Sequence, residues 1–368
     1  MHGSPILEID LDKIKYNTSQ VVERCHRNGI EAIGVTKGFS AICEIVSAMV
    51  AGGIDGLADS RMENILELRE KGFTQPMTLL RIPRLSNVRK VVQYTNTSIN
   101  SEITVIKALA QAAKELNVIH QVILMVDVGD LREGVLQENV PDIAEQIASF
   151  KDIKLLGLGT NMGCFGGILP STNNLGVLVE LGRAVENQLG HKLEIISGGG
   201  TSTLLLIEHH EVPVGVNQLR IGEGILLGTD TTNNRKIPWL HQDAFHLRAE
   251  VIEVKSKPSL PTGTIGRDAF GNIPQFIDLG VRKRAIVSMG KQDVNIKGIR
   301  PVDERLSILG ASSDHLIIDI EDSEQTIKVG DIITFSLAYS GLLSVSDSKY
   351  VRKRFIGDSG SKEGGRIC

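Results

Sequence analysis

A chain of 368 residues that is 41% hydrophobic and 23% charged has the composition of a soluble globular protein with ample material for a core. Its formal net charge of -4 offers no attraction to nucleic acid or to an anionic membrane, so the expected partner is a small molecule. The sequence lacks an apolar run long enough for a membrane span, and acidic residues stand where a signal peptide would be apolar. We therefore expect a cytoplasmic protein. The four cysteines lack CxxC spacing, which gives no indication of a metal site.

The chain begins with a strand-like stretch, Ile6–Asp10, which is expected to pair with the C-terminal part of the protein. Eight short runs of strand-forming residues then alternate with segments of helical period, such as Glu102–Leu116 and Leu175–Leu189. The eight runs are Ala32–Lys37, Gly56–Ser60, Met77–Arg81, Thr97–Ser101, Val122–Asp127, Leu155–Thr160, Leu193–Ser197 and Asn217–Ile221.

This alternation predicts an α/β fold, a (β/α)8 TIM-type barrel over residues 10–235. An open, doubly wound sheet is the alternative. After Pro238 the pattern changes to alternating runs separated by turn residues, which predicts a smaller, mostly-β domain over residues 236–355 that includes the strand within residues 1–9. No helix is predicted in that domain. Residues 356–368 are rich in glycine and serine and are predicted to form a disordered tail.

Polar residues stand at the ends of several predicted barrel strands, where enzymes of this fold build their sites. Lys37 ends the first run, Asn161 follows the sixth, and Arg220 lies on the eighth. The stretch from Gly198 to Ser202 follows the seventh run and offers backbone amides and hydroxyl groups to a phosphate. A tight turn with an N-cap at Thr201 or Ser202 accounts for the same residues without a ligand.

A lysine beside a phosphate site indicates Schiff-base chemistry. The candidates are a pyridoxal phosphate enzyme, in which Lys37 holds the cofactor, and an aldolase, in which Lys37 holds a sugar phosphate or keto acid. A structural lysine is the third interpretation. Arg220 favours the first, because a guanidinium that donates to the pyridine nitrogen keeps it unprotonated and favours simple proton exchange at Cα.

Several segments resemble the alanine racemase-type family of pyridoxal phosphate-dependent amino-acid racemases over residues 6 to about 355. The segments are EIDLDKIKYN (8–17), VTKG (35–38), MVDVGDLREGV (125–135), LRIGEGILLG (219–228), LGASSDHLIIDI (309–320) and VGDIITF (329–335). The wordings GTNMGCFGG, KPSLPTGTIGRDAFGN and SLAYSGLLSVSDSKYV are most similar to the ornithine racemase branch.

The resemblance implies a racemase of ornithine or another basic amino acid and a homodimer whose site is completed by the partner's β-domain. A broad-specificity or alanine racemase and a non-catalytic pyridoxal phosphate carrier are the alternatives. The resemblance makes Lys37 the Schiff-base residue and one catalytic base. It assigns the other cofactor contacts to Arg220 at the pyridine nitrogen, Thr201, Ser202, Gly222, the Glu223 backbone and Tyr339 at the phosphate, Arg132 beside the lysine or the substrate carboxylate, and Asn161 at the ring.

One departure from the family pattern concerns the second base. Alanine racemases supply a tyrosine from a turn that corresponds to Gly263–Phe270 here, and this turn has none. Asp268 is the leading candidate for the role, with Asp314 and His315 as alternatives. Asp268 and Asp314 offer a second reading, in which they pair with the distal ammonium group of the substrate.

Overall fold

The computed structural model describes residues 5–357. The chain divides into two compact units. The barrel unit holds residues 11–242, and the β-unit combines the described residues up to Asp10 with Asp243–Gly357. The predicted tail lies outside the described residues from position 358 onward. None of the helices formed by residues 5–357 has the length and apolar character needed to cross a bilayer.

The chain opens with strand β1 (Ile6–Asp10) of the β-unit and then enters the barrel unit, whose eight strands are parallel and form a closed barrel. The strands are β2 (Glu31–Val35), β3 (Gly56–Asp59), β4 (Met77–Leu79), β5 (Thr97–Asn100), β6 (His120–Met125), β7 (Ile153–Gly159), β8 (Ile195–Ser197) and β9 (Gln218–Ile221). The pairing of β9 with β2 closes the ring, with Arg220 opposite Ile33. The predicted TIM-type barrel is confirmed, and the open sheet is excluded.

Helices follow the strands around the barrel, as the helical segments of the sequence predicted. They are α1 (Leu11–Arg27), α2 (Cys43–Ala51), α3 (Met62–Glu70), α4 (Val88–Tyr94), α5 (Ile103–Leu116), α6 (Val140–Ala148), α7 (Thr172–Leu189), α8 (Leu204–His209) and α9 (Glu223–Leu227). Short 3-10 turns occupy Lys37–Phe39, Leu85–Asn87, Gln137–Asn139 and Thr201–Thr203, and a hairpin of β10 (Thr229–Asp230) and β11 (Arg235–Lys236) ends the unit.

The barrel strands are buried on both faces, which explains why they read as continuous apolar runs rather than as alternating ones. Gly157 on β7 shows how closely two strands approach, since a Cβ atom there would lie 1.8 Å from the carbonyl oxygen of Ile195 on β8. Only glycine leaves room for that contact. The barrel interior is therefore tightly packed, and a reactive site is expected at the strand ends.

Several strands end one or two residues earlier than predicted. The first run was predicted to extend to Lys37, but β2 ends at Val35 because the backbone of Thr36 turns into the helical region (φ -95°, ψ -12°). Lys37 thus begins a 3-10 turn at the strand end. The shift places the lysine just beyond the last strand hydrogen bonds.

The β-unit is built on a mostly antiparallel sheet. Its later elements are β12 (Phe245–Pro258), β13 (Val281–Val287), β14 (Ile299–Pro301), β15 (Ser307–Ala311), β16 (Leu316–Asp319), β17 (Ile332–Leu337), α10 (Tyr339–Asp347) and β18 (Arg352–Ile356), with a 3-10 turn at Ile296–Gly298. The strand order is β14-β17-β12-β13-β16-β15, and β1 pairs antiparallel with β12 and parallel with β18. Residues 245–251 alternate between buried and half-buried positions, as expected of a sheet with one covered face.

The expectation that this domain lacks a helix is wrong, because α10 spans nine residues. Its glycine and three serines weaken the helical pattern in the sequence. Leu342 and Val345 are nevertheless fully buried and lie three residues apart, on one face of the helix. Gly341 packs so closely on Gly298 that a Cβ atom at position 341 would lie 2.1 Å from the Gly298 carbonyl oxygen. Tertiary packing therefore stabilises a helix of low intrinsic propensity.

Candidate active site

Lys37 is half-buried at the C-terminal edge of the barrel, and the residue before it is firmly held. Thr36 is fully buried, and its hydroxyl donates to the Asp59 carboxylate at 2.5 Å. The same carboxylate accepts hydrogen bonds from the Arg61 backbone at 2.7 Å and from Asn64 Nδ2 at 3.0 Å. Burial raises the pKa of Asp59, and these hydrogen bonds oppose that effect. Asp59 thereby ties the end of β2 to the end of β3.

Arg220 is a cation buried under the mouth of the barrel, with 7% of its surface exposed. Its guanidinium donates to Ser197 Oγ and, at 2.6 Å, to the carbonyl oxygen of Thr160. Its backbone N–H donates to the Gly199 carbonyl at 2.9 Å. Burial lowers the pKa of Arg220 to about 10, while the charge of Glu133 acts in the opposite direction. The side chain therefore stays protonated at neutral pH and is held by β7 and β8.

The loop after β6 brings further charge towards Arg220. The guanidinium of Arg132, in the loop after β6, donates to the carboxylate of Glu133. Burial alone would lower the pKa of Arg132, but this ion pair and the nearby Cys164 raise it. Arg132, Glu133 and Cys164 all act on the pKa of Arg220 as well. The ion pair in the loop after β6 thus acts electrostatically on the buried Arg220.

Asn161 stands directly after Thr160, whose carbonyl accepts from Arg220. Its Nδ2 atom is buried, and it has no hydrogen-bond partner within the described part of the chain. Buried polar atoms are almost always hydrogen-bonded, so an unpartnered donor at a strand end indicates a missing acceptor. A ligand at the barrel mouth is one such acceptor.

The phosphate residues predicted in the barrel unit come together at the ends of β8 and β9. Thr201 begins the 3-10 turn after β8, and its hydroxyl accepts a hydrogen bond from the Gly224 backbone at 3.1 Å. Ser202, 7% exposed, follows it in the same turn. Gly222 packs against β2, where a Cβ atom at position 222 would lie 3.2 Å from Val35 Cβ. The two turns are thus joined to each other and lie beside the strand that leads to Lys37.

The side chain of Glu223 is occupied by hydrogen bonds within the protein, so its backbone N–H is the group that could contact a ligand. Its carboxylate accepts hydrogen bonds from Thr229 Oγ1 at 2.7 Å and from the Thr231 backbone at 3.1 Å. Burial raises the pKa of Glu223, and the threonine hydrogen bonds act against that rise. The side chain therefore anchors the β10–β11 hairpin.

The remaining predicted residues belong to the β-unit. Asp268 lies in a loop, and its carboxylate accepts hydrogen bonds from the backbones of Phe270 at 2.9 Å and Asn272 at 2.8 Å. Lys291 approaches this carboxylate at 3.8 Å, and its ammonium group lies 3.7 Å from the centre of the Phe270 ring. The backbone bond from Asn272, followed by those from Phe270 and the charge of Lys291, lowers the pKa of Asp268. Asp268 is therefore ionised at neutral pH, and backbone hydrogen bonds of its own turn hold its carboxylate.

Asp314, His315 and Tyr339 occupy other parts of the β-unit. Asp314 is exposed between β15 and β16 and accepts from the Ser313 hydroxyl at 2.8 Å. The same turn reaches Lys291, because the Lys291 backbone donates to the Ser312 carbonyl at 2.9 Å. Tyr339 is half-buried at the first position of α10. Lys291 thus contacts Asp268 through its side chain and the turn that holds Asp314 through its backbone.

Comparison with known proteins gives these residues a family context. The family described as "Alanine racemase, N-terminal domain" matches residues 9–230. The chain is 42% identical over 353 residues to the ornithine racemase of Acetoanaerobium sticklandii, covering 96% of this chain and 99% of that protein. The chain belongs to the alanine racemase family. The family resemblance predicted from the sequence is confirmed.

Two further proteins are similar to this chain, one in sequence and one in fold. The lysine racemase of Thermotoga maritima is 42% identical over 349 residues, with 95% of this chain and 98% of that protein covered. The solved alanine racemase of Clostridium difficile 630 shares the fold, with a TM-score of 0.73 at 18% identity, covering 97% of this chain and 96% of that one. Relatives named for basic amino acids are thus far closer in sequence than this structural neighbour.

Three polar residues of this family member were not predicted as site residues. Asp59, at the end of β3, and Asp130, in the loop after β6, are buried carboxylates with 0% and 2% of their surface exposed. Asp59 is the last residue but one of the predicted run Gly56–Ser60, so its place near a strand end is a usable signal in the sequence. Lys291 lies in a turn of the β-unit, and nothing in the sequence links it to Asp268. Its contact with Asp268 depends on how distant turns fold together.

Proposed function

We propose that this protein is a pyridoxal phosphate-dependent racemase that interconverts the L and D forms of a basic amino acid, with ornithine and lysine as the leading substrates. The observation that carries the proposal is the convergence of Lys37, the buried Arg220 and the Thr201–Gly224 turn contact at one edge of the barrel. The 42% identity to an ornithine racemase and to a lysine racemase supports the choice of substrate class.

The residues at the barrel mouth fit the cofactor that this family implies. The unpartnered Asn161 Nδ2 needs an acceptor, which a phenolic oxygen or phosphate supplies. Thr201, Ser202, Gly222 and the Glu223 backbone are the residues that would hold the phosphate, and Lys37 would bind the aldehyde through its amine. When bound, the pyridoxal ring withdraws electrons and acidifies the Cα proton of an attached amino acid.

The protein's own groups then determine which reaction follows. Lys37 removes or returns a proton at Nζ on one side of the substrate. Arg220 is charged at neutral pH, as its pKa of about 10 requires, and as a permanent donor it would keep the pyridine nitrogen unprotonated. Arg220 would in this way favour return of the proton to Cα over cleavage of other bonds. Arg132 is the residue expected to orient the substrate carboxylate or the lysine.

The second proton donor is proposed to come from the β-domain of a partner subunit, in a homodimer, with Tyr339 assisting at the phosphate. Asp268 is the leading predicted donor, with Asp314 and His315 as the alternatives. The lowered pKa of Asp268 makes its carboxylate a weak base and suits it better to pairing with the distal ammonium of ornithine or lysine. Lys291, which contacts Asp268, is then an additional candidate for the proton donor.

The proposal is tested by chiral analysis of purified protein supplied with pyridoxal phosphate, using the twenty common amino acids and ornithine. We expect D-ornithine from L-ornithine, the same for lysine, and slower reaction with alanine. If alanine reacted fastest, the protein would instead be an alanine racemase by substrate specificity. Bound cofactor without racemisation of any substrate would favour the carrier alternative, and failure to bind the cofactor would contradict the proposal.

A further inference from the structure

Asp130, in the loop after β6, is a buried carboxylate that binds the backbone of a different loop. It accepts hydrogen bonds from the N–H groups of Gly163 at 3.0 Å, Cys164 at 3.3 Å, Phe165 at 3.1 Å and Ile168 at 3.4 Å. Only 2% of the residue is exposed. A buried carboxylate is costly unless hydrogen bonds meet its charge, and here backbone amides of one loop do so.

The backbone of Asp130 makes the same connection. Its carbonyl oxygen accepts a hydrogen bond from the Gly166 N–H at 3.1 Å. A Cβ atom at position 166 would lie 2.8 Å from that oxygen, so only glycine fits at this position of the loop. Gly163 has a φ of +77°, and a Cβ atom there would lie 2.5 Å from Thr232. The loop Gly163–Ile168 is therefore folded around Asp130 in one defined arrangement.

Both ends of this arrangement carry residues of the candidate active site. Arg132 follows Asp130 by two positions, and Asn161 precedes Gly163 by two. The carbonyl of Thr160, next to Asn161, accepts from Arg220 at 2.6 Å. A movement of the loop would thus displace Asn161 on one side and Arg132 on the other.

We propose that Asp130 is a positioning residue that fixes the loop Gly163–Ile168 against the loop after β6 and so sets the places of Asn161 and Arg132. The inference rests on the proposed function, since it concerns the racemase site. Asp130 acts through these two loops and has no direct part in the reaction. Displacing catalytic groups by about 1 Å commonly costs about a hundredfold in rate, which sets the expected effect.

The direct test is Asp130→Asn in the full chain. The amide lacks the charge, and its Nδ2 faces the loop N–H groups, so hydrogen exchange in residues 161–168 should become at least about tenfold faster, with or without cofactor. The value of kcat for ornithine should fall about a hundredfold, with a smaller change in KM. Asp55→Asn is the matched control, because Asp55 also accepts a backbone hydrogen bond, from Ala32 at 2.8 Å, but precedes β3 at the opposite end of the barrel.

A second variant tests the same contact from the other side. Gly166→Ala forces a Cβ atom against the Asp130 carbonyl without changing any charge, and it should reproduce the faster exchange and the lower kcat. Gly176→Ala is its control, because no atom outside its chain neighbours and the backbone of its own helix lies within 4 Å of the added Cβ. Variants that exchange faster but keep the wild-type kcat would overturn the positioning role, as would unchanged exchange. Inactive wild-type protein would instead overturn the proposed function.

Discussion

The predicted site residues of the barrel unit and those of the β-unit lie in different kinds of structure. Arg220 is buried at a strand end and held by Ser197 and the Thr160 carbonyl. Asp268 is in a loop and is held by the backbone of its own turn. A residue at a barrel strand end has its position set by the sheet, whereas a turn residue depends on contacts between loops. Substitutions of the barrel residues are therefore expected to have larger effects than substitutions in the β-unit.

Replacing Lys37 should have the largest effect in the barrel. Lys37→Ala removes the amine proposed both to hold the cofactor and to move a proton, so racemisation should fall by about 10⁴-fold or more. The visible absorption of a lysine-bound cofactor should disappear as well. Lys151→Ala, at an exposed lysine in the turn before β7, is the control and should keep both properties. Retained racemisation in Lys37→Ala would contradict the proposed role of Lys37 as the residue that holds the cofactor and moves the proton.

Replacing Arg220 should come second. Arg220→Lys keeps a charge but loses the planar fork that reaches Ser197 and the Thr160 carbonyl together. We expect kcat to fall about a hundredfold and the free energy of unfolding to fall by about 1–3 kcal/mol, because a buried acceptor is left unpaired. Steady-state kinetics and urea unfolding measure the two effects. A variant with wild-type kcat would show that the buried arginine serves stability alone.

Acid should weaken the barrel unit through His120. Burial, with 2% of its surface exposed, lowers the pKa of this histidine from 6.5 to about 4, and its Nε2 lies 2.8 Å from Ser98 Oγ. Between these pH values the unfolded chain takes up a proton that the folded barrel excludes. The stabilisation is therefore complete above pH 6.5 and is lost as the pH falls towards 4.

When the pH falls from 7 to 5, the free energy of unfolding should decrease by about 2 kcal/mol because of this histidine. Urea unfolding of wild type and His120→Gln at the two pH values measures the difference, which should largely vanish in the variant. His191→Gln, at an exposed histidine, should retain the wild-type dependence. An equal pH dependence in His120→Gln would show that other groups cause the acid sensitivity.

Replacing Asp268 should have the smallest effect, and its form is informative. If the carboxylate pairs with the distal ammonium of the substrate, Asp268→Asn should raise KM for ornithine about tenfold or less and leave KM for alanine unchanged. Asp303→Asn is a close control, because Asp303 also accepts from its own turn, at Arg305, and pairs with that side chain. Loss of Cα proton exchange with an unchanged KM would make Asp268 the second base after all.

The sequence predicted the barrel, its eight strands and the strand-end positions of Lys37 and Arg220, because parallel strands leave a strong local pattern. It did not predict α10, whose glycine and serines conceal a buried face formed only on packing against Gly298. It also missed Asp130, because the partners of that carboxylate are backbone amides more than thirty residues away. Every residue except proline has a backbone N–H group, so the sequence does not show which of these groups will bind a carboxylate.

Deuterium incorporation at Cα tests the central claim most directly. Protein loaded with pyridoxal phosphate is incubated with L-ornithine in deuterated water, and both enantiomers are separated and analysed by mass spectrometry. The proposed proton abstraction and return predict deuterium at Cα in the D-ornithine formed, and no incorporation by Lys37→Ala. Cofactor-bound wild-type protein that forms no D-ornithine and incorporates no deuterium, with ornithine or with lysine, would contradict the claim.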